Sequence, residues 1–323
     1  MSLRMRRKIF NNRRLMCLLL MALAAILATA CSGGGTFYIK SGGAPTRTTQ
    51  SPLQRIISLS PSATEVLYGV GAFDRVVAVS DYDEFPPEVE KLPKIGGWSN
   101  TNLEQVASLK PDLVVVAEAQ ASFVKDKLDA LKIPTLVVPS RSVADALASI
   151  ELIGRAVGKE AEAERLLAET RAKLDAVRER TRDLPRVRVL CIVDRVPGTL
   201  RGLYTATDGS FLAQLIEIAG GKSVAPKTES GFGQISKEAV VSLNPDVIID
   251  MVQSLADSRL AEDPKLVWRE LAQVKAVRNN RVYPLRDTSV LHPSQFVGDT
   301  ARQFAKLMHP KAFGESKADR SQR

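Results

Sequence analysis

Histidine and cysteine, which often perform catalysis or hold metal ions, are scarce in this chain, which has two and three of them. Its two histidines, His292 and His309, lie 17 positions apart. A zinc or manganese site normally needs several histidine or carboxylate ligands, so a receptor for a bare metal ion is disfavoured. His309 precedes a proline near the end of the sequence and is interpreted as an exposed helix-end residue. His292 could lie near a cleft or on a plain loop.

Motifs for phosphate binding and for nucleophilic catalysis are also missing. Gly69 and Gly71 match part of a dinucleotide-binding fingerprint, but the third glycine is absent and the pair follows a predicted helix instead of a strand. The chain has no Walker-type loop, and no serine is flanked by the glycines of a nucleophile elbow. The sequence therefore predicts a protein that is not an enzyme and that holds no resident cofactor.

One set of residues recurs at a fixed interval of 134 positions. Trp98 and Glu104 recur as Phe232 and Glu238, and the match extends to five further pairs: Asn102/Ser236, Ser108/Ser242, Leu109/Leu243, Pro111/Pro245 and Asp112/Asp246. Asn and Ser are good helix N-caps, and each glutamate then falls in the first helical turn, where a carboxylate suits the helix dipole. Ordinary fold chemistry explains each cap and proline, but not the matching aromatic residue and glutamate.

The elements that must position these residues alternate between short apolar runs and helical patterns. Buried strands are predicted at 56–59, 76–79, 113–116 and 136–138, and helices between them at 62–70, 102–109 and 121–131. This alternation predicts a parallel sheet covered on both faces. Strand-like runs resume at 187–193, 246–250 and 282–285.

A long helical segment separates the two β/α regions. Residues 142–182 contain almost no glycine or proline, residues 160–184 are dense in strong helix formers, and Pro185 ends the pattern. The predicted fold class is α/β, with two Rossmann-like β/α lobes joined by a single long α-helix. We place the lobes at 55–142 and 186–309, the helical connector at 143–185, and a disordered tail at 310–323.

The net charge of the chain comes mostly from its first residues. The formal charge of +9 would ordinarily suggest a nucleic-acid or anionic-membrane partner. Residues 1–30 hold six cations and no acid, however, and without them 39 basic residues face 36 acidic ones. We therefore expect no nucleic-acid partner.

The N-terminal segment is typical of a secretory signal, with basic residues before an uncharged apolar run at 15–30. That run has 16 residues. A transmembrane anchor, the alternative, needs about 20. The run ends in Leu27-Ala28-Thr29-Ala30-Cys31, similar to a bacterial lipoprotein cleavage site. We predict a signal peptide at 1–30, a lipid on Cys31 and a flexible tether at 31–54, which place the protein outside the cytoplasm on a membrane.

The other two cysteines agree with export without a disulfide. Cys17 lies in the predicted signal peptide, and Cys191 lies in the apolar run at 187–193. Since it has no partner for a disulfide, Cys191 is interpreted as a small buried core residue.

An ordered set of motifs resembles the periplasmic binding proteins for cobalamin and iron chelates. It opens at 55–65 with RIISLSPSATE and continues at 82–87, 97–98, 102–104, 109–114, 211–221 and 268–285. No single motif is specific, but the ordered set covers nearly all of 55–309. The resemblance implies a monomeric two-lobed receptor that binds a small-molecule chelate in a cleft between the lobes. It also implies delivery to an ABC permease driven by its ATPase subunits.

The resemblance also implies which aromatic residues bind the ligand. The aromatic cleft positions of the cobalamin-binding members fall on Tyr82, Trp98, Tyr204 and Phe232. Aromatic rings can cover the flat faces of a corrinoid with little loss of entropy. Alternatively, Trp98 and Phe232 plug the edge of each lobe's core.

Glu104 and Glu238 match the two family glutamates, one per lobe, that dock into arginine pockets of the permease. A carboxylate and a guanidinium make charge-assisted contacts, and two weak contacts act together. Both glutamates could instead serve only to stabilise their helices.

The identity of the ligand is less sharply implied. Phe232 stands where the cobalamin-binding members have tryptophan, the match near Asp287 is loose, and Arg201 and Arg286 could face an anionic siderophore or a haem propionate. Cobalamin or a related corrinoid is the expected ligand, with an iron-siderophore or haem as the alternative.

An exported twin-Rossmann enzyme and a lipid-anchored scaffold are the other classes of protein that the sequence could indicate. The missing catalytic motifs disfavour the first, and the four aromatic residues disfavour the second.

Overall fold

The computed structural model describes residues 53–251 and 263–314, which fold around two β-sheets. The predicted signal peptide, Cys31 and tether residues 31–52 lie outside the described residues. Within the two described ranges, no helix is both long and apolar enough to cross a membrane.

The N-terminal lobe contains a four-stranded parallel sheet whose strands lie side by side in the order 76–78, 56–58, 113–117 and 135–138. Alternate residues of its apolar strands enter two different cores, since Ile56 and Val115 pack on one face and Ile57 and Val114 on the other. The prediction of a parallel sheet covered on both faces is confirmed for this lobe. Its strands are β1 (Ile56–Ser58), β2 (Val76–Ala78), β3 (Leu113–Ala117) and β4 (Thr135–Val138). Its helices are α1 (Pro61–Gly69), α2 (Leu103–Ser108) and α3 (Glu118–Ala130), with 3₁₀ turns at Phe73–Arg75 and Pro87–Lys91.

The C-terminal lobe contains a six-stranded sheet, in which five strands lie in the order 282–284, 247–250, 187–194, 204–206 and 232–234, and the sixth, 221–223, also pairs with 187–194. Its strands are β5 (Val187–Asp194), β6 (Tyr204–Ala206), β7 (Gly221–Ser223), β8 (Phe232–Gln234), β9 (Val247–Asp250) and β10 (Val282–Pro284). Strands β5, β7, β9 and β10 pair in parallel, as expected of a β/α lobe, whereas β6 runs antiparallel to β5 and β8. The connection from β5 to β6, residues 195–203, is too short for the crossover that a parallel pair requires.

Helices pack around this second sheet. They are α6 (Phe211–Ile218), α7 (Lys237–Leu243), α8 (Pro264–Trp268), α9 (Lys275–Arg278), α10 (Val297–Met308) and α11 (Pro310–Phe313), with 3₁₀ turns at Arg269–Leu271 and Thr288–Leu291. Cys191 is buried in this lobe's core, as predicted. Burial, together with the nearby charge of Asp250, raises the pKa of its thiol to about 12.

Two helices connect the lobes. The predicted long helix is α5 (Glu160–Thr181), and α4 (Val143–Val157) lies antiparallel beside it after a left-handed turn at Gly158. Each helix serves both cores, because Ala146 and Leu174 pack in the C-terminal core while Ile150 and Ala163 pack in the N-terminal one. The connector therefore contains a second bridging helix in addition to the one that was predicted.

The predicted limits of the lobes need two corrections. The tether was predicted to run to residue 54, but Leu53 packs against the N-terminal core. The disordered tail was predicted from residue 310, but Pro310–Phe313 form α11, and the Phe313 ring centre lies 4.8 Å from the Arg180 guanidinium carbon. Residues 315–323 of the tail lie outside the described residues.

His309 follows the last residue of α10, so its predicted place at a helix end is right. Its predicted exposure is wrong, since it is half-buried and its Nε2 lies 3.1 Å from the carbonyl oxygen of Gly220.

Candidate functional site

Loops that follow the strands of the two sheets meet on one side of the molecule. Thr288, just after β10, donates its hydroxyl to Glu84 in the loop after β2, with 2.8 Å between Oγ1 and Oε2. In open α/β sheets, ligands bind in the crevice outside the carboxyl ends of the strands. The candidate cleft is therefore formed by these loops.

In the N-terminal lobe, the first two predicted site residues lie on adjacent loops. Reciprocal hydrogen bonds tie the loops together, from Asp81 N to Gly96 O (3.0 Å) and from Gly96 N to Asp81 Oδ1 (3.1 Å). Gly97 leaves room for the neighbouring ring, because a Cβ atom there would lie 2.9 Å from Cε2 of Tyr82. Tyr82 is 60 % exposed and Trp98 is 41 % exposed. Both rings thus offer accessible surface, and Trp98 is not part of a buried core cluster.

A buried carboxylate holds the loop of Tyr82 in shape. Asp83 Oδ2 accepts hydrogen bonds from the backbone N–H and the hydroxyl of Ser80, at 3.0 and 2.5 Å, and the carbonyl of Asp83 accepts one from Lys94 Nζ at 2.7 Å. Burial raises the pKa of the Asp83 carboxyl, and hydrogen bonds from Ser80 and Thr64 and the charge of Lys94 oppose that rise. Sequence reasoning missed this residue, although Ser80-x-x-Asp83 has the spacing of reciprocal side-chain caps.

In the C-terminal lobe, Tyr204 and Phe232 stack on each other. Their ring centroids lie 6.4 Å apart and their planes differ by 12°. Tyr204 pairs with Gln234 and Ala206 pairs with Phe232 across β6 and β8, so the two rings are diagonal neighbours on one sheet face. Phe232 is half-buried against the core of this lobe, which agrees with the alternative interpretation that it fills the edge of the core. Tyr204 is exposed.

A polar loop fixes the backbone at Phe232. Its carbonyl oxygen accepts hydrogen bonds from the hydroxyls of Ser230 and Thr228, at 2.6 and 3.1 Å, and the hydroxyls of Thr228 and Thr207 lie 2.7 Å apart. The structure thus stacks Tyr204 on Phe232 in the C-terminal lobe and places the Tyr82 ring against Gly97, next to Trp98, in the N-terminal lobe.

A fully buried charge pair lies at the carboxyl ends of β5 and β9. Arg195 Nε donates to Asp250 Oδ2 at 3.0 Å, and Trp268 Nε1 donates to the same oxygen at 2.6 Å. Arg195 also donates from its guanidinium to the carbonyl of Thr199 at 3.1 Å. The pair therefore fixes the loop that leads to Tyr204.

Glu104 and Glu238 lie in the first turns of α2 and α7, and both are exposed. Their helices are capped as predicted, since Asn102 Oδ1 accepts from Gln105 N and Ser236 Oγ accepts from Ala239 N. Hydrogen bonds from its own backbone N–H and from the Ser236 hydroxyl lower the pKa of Glu238. Among the described residues, neither glutamate forms an ion pair, and Lys237 pairs with Glu270 instead.

Other members of the 134-residue repeat have the same structural role in both lobes. Asp112 Oδ2 accepts from Arg55 N at 2.9 Å, and Asp246 Oδ2 accepts from Arg188 N at 3.1 Å. The helix before each aspartate is followed by a residue with positive φ, Lys110 at 46° and Asn244 at 42°. These residues form the same helix-to-strand connection in both lobes. Part of the 134-residue repeat therefore serves the fold and requires neither a ligand nor a partner protein.

The remaining candidate residues lie on the C-terminal lobe. Arg201, Arg286 and Asp287 are exposed, and the Asp287 carboxylate caps the 3₁₀ turn that follows it through Ser289 N at 3.0 Å. His292 lies at the junction of the lobes, where its Nδ1 is 2.6 Å from Glu65 Oε1. Across the described part of the chain, no cluster of three or more His, Cys, Asp or Glu side chains has the geometry of a metal site.

A family comparison decides the class of protein to which this two-lobed arrangement belongs. The family model described as periplasmic binding protein matches residues 56–288. The chain belongs to this family. Among its relatives, an uncharacterised ABC transporter substrate-binding lipoprotein of Bacillus subtilis is 31 % identical over 266 residues, which cover 81 % of this chain and 82 % of that protein.

Two further relatives of this periplasmic binding protein carry ligand names. A vitamin B12-binding protein of Vibrio parahaemolyticus is 24 % identical over 244 residues, covering 75 % of this chain and 85 % of that one. The solved structure of the periplasmic haem-binding protein RhuT from Roseiflexus sp. RS-1 is 25 % identical and superposes with a TM-score of 0.70, covering 80 % of this chain and 99 % of that one. The predicted family and two-lobed α/β fold are thereby confirmed.

Proposed function

We propose that this periplasmic binding protein captures cobalamin or a related corrinoid. The observation that supports the proposal is an accessible aromatic surface in each lobe, made by Tyr82 and Trp98 on adjacent loops and by Tyr204 and Phe232 on adjacent strands. A corrinoid is large and flat-faced, and aromatic rings cover such faces with little loss of entropy. The name of the Vibrio relative supports the same ligand class.

Haem or an iron-siderophore is the second candidate. Haem is also a flat macrocycle but carries carboxylates, and the exposed guanidinium of Arg201 lies three positions before Tyr204. The haem-binding name of the solved relative supports this candidate.

The loaded protein then delivers its ligand to an ABC permease with ATPase subunits. Glu104 and Glu238 are exposed, one per lobe, and within the described residues they have no ion-pair partner, which leaves both carboxylates available to cations on the permease. Two such contacts act together through effective concentration. The protein acts as a monomer and performs no catalytic step on its ligand.

A lipid on Cys31 anchors the protein to a membrane outside the cytoplasm. The lipoprotein name of the Bacillus subtilis relative supports this placement. Changing Cys31→Ser moves the protein from the membrane fraction to the soluble fraction after cell breakage. A variant that stays with the membrane as completely as the wild type would contradict the lipid anchor.

The ligand is tested by calorimetric titration of the full chain with cyanocobalamin, hemin and a ferric siderophore in parallel. We expect cyanocobalamin to bind with a dissociation constant of about 1 μM or tighter, close to −8 kcal/mol. The matched control is the Tyr82→Ala/Tyr204→Ala double variant, which removes one exposed ring from each lobe. Binding of hemin alone would replace the corrinoid with the second candidate, and binding of none of the three would refute the proposal.

A further inference from the structure

A buried glutamate joins the two lobes. Glu65 lies in α1 of the N-terminal lobe and is 1 % exposed. Its Oε1 lies 2.6 Å from His292 Nδ1, and its Oε2 accepts from the Ser294 hydroxyl. Gln295 Nε2 donates to the backbone carbonyl of Glu65 at 2.8 Å. These three partners precede α10 and belong to the C-terminal lobe.

The carboxylate of Glu65 depends on the opposite lobe for its hydrogen bonds. Within the described chain, the side-chain donors to Glu65 all come from residues 292–295. A buried carboxylate that has no hydrogen-bond partner raises the free energy of the protein. If the lobes separate at this point, the Glu65 carboxylate loses its partners until water reaches it. The contact therefore opposes separation more strongly than an exposed hydrogen bond does.

The packing around Glu65 leaves little room for helix α1 to shift against the C-terminal lobe or the connecting helix. One turn further along α1, a Cβ atom on Gly69 would lie 2.7 Å from Leu166 Cδ2 and 3.2 Å from Gln295 Nε2. Leu166 belongs to the connecting helix α5. Beside it, the rings of Phe85 and Phe296 meet edge to face across the lobes with centroids 5.3 Å apart. The junction at Glu65 is thus close-packed and lies against the connector.

We propose that Glu65, His292 and Ser294 form a clamp that sets how far the lobes part and how fast bound ligand leaves. The release step rests on the proposed function, while the clamp itself is a property of the ligand-free molecule. The three are positioning residues, since they act on the lobes and not on the ligand. The exposed Thr288–Glu84 hydrogen bond is a second interlobe contact, but water replaces it readily when it breaks.

Amide hydrogen exchange on the ligand-free full chain tests the clamp. Glu65→Gln keeps the size of the side chain but cannot accept from His292 and Ser294 in the same way, and we expect exchange of the α1 amides to rise about tenfold or more, as local opening becomes easier. Ser294→Ala, a milder change, should give a smaller rise at the same amides. Thr288→Val is the matched control and should change α1 exchange less than about twofold.

Dissociation of cyanocobalamin, or of hemin if only hemin binds, is then followed by stopped flow. We expect the rate constant to rise with α1 exchange in the order control, Ser294→Ala, Glu65→Gln. Unchanged exchange in both clamp variants, with cooperative unfolding retained, would overturn the clamp. Faster exchange with unchanged dissociation would overturn its link to release. Failure of the wild type to bind any ligand counts against the proposed function alone, because the exchange experiment contains no ligand.

Discussion

Replacing Trp98 with alanine separates ligand binding from folding. A large aromatic side chain can bury about 150–250 Å². Since 41 % of Trp98 is exposed, a bound ligand can cover on the order of 100 Å² of it. At about 25 cal/mol/Å² that area contributes about 2.5 kcal/mol, or roughly 70-fold in the dissociation constant. Because Trp98 is not part of a core cluster, the free energy of unfolding should fall by only about 1 kcal/mol.

The assay is calorimetric titration of the wild type and Trp98→Ala with whichever ligand binds the wild type, together with urea unfolding of both proteins. The matched control is Phe123→Ala, which removes an aromatic side chain of α3 that is 46 % exposed. We expect the control to bind as the wild type does. A similar loss of affinity in both variants would indicate a general effect of losing an exposed ring.

Two results would refute the reasoning. An unchanged dissociation constant for Trp98→Ala would mean that the ligand does not cover this ring. A loss of several kcal/mol in the free energy of unfolding would mean that Trp98 contributes to the core of its lobe, so that the loss of affinity would follow from altered folding.

Three more predictions follow from charged groups. Reversing Glu104 and Glu238 to arginine should leave ligand affinity unchanged and abolish uptake in cells, and normal uptake would exclude the docking role. Asp250→Asn should lower the free energy of unfolding in urea by about 3–5 kcal/mol, because it removes the negative charge from a fully buried ion pair with Arg195, and a loss below about 1 kcal/mol would contradict this. Since burial raises the pKa of Asp83, its carboxyl stabilises the fold fully below its ordinary pKa of 3.8 and loses that contribution as pH rises through the raised value. Asp83→Asn should therefore gain stability relative to the wild type as pH rises above 3.8 in a series of urea titrations, and parallel curves would contradict the prediction.

The sequence predicted the strands that bury both faces. The runs at 113–116 and 187–193 are rich in β-branched residues, and only Arg188 interrupts their apolar residues. They form the strands Leu113–Ala117 and Val187–Asp194. The short strands β6, β7 and β8 were missed, because three residues such as Gly221–Ser223 bear no apolar pattern. Their pairing is set by neighbouring strands, which a local pattern does not contain.

Some residues of the candidate site could likewise be predicted from the sequence, and others could not. The family resemblance indicated the four aromatic residues and the two glutamates. The structure puts Tyr204 and Phe232 on strands and both glutamates in first helical turns. The buried carboxylates could not be predicted, since Glu65 bonds to a histidine 227 positions away and Asp250 to an arginine 55 positions away. The sequence alone does not distinguish a buried carboxylate from one on the surface. Only the fold shows which carboxylates are removed from solvent.

The pair of helices between the lobes has a consequence for how the molecule unfolds. Each of α4 and α5 places apolar side chains in both cores, so neither core is complete without the same two helices. A fragment cut after residue 142 or before residue 186 would lack the residues that close its own core. The two lobes are therefore expected to gain and lose their structure as one cooperative unit.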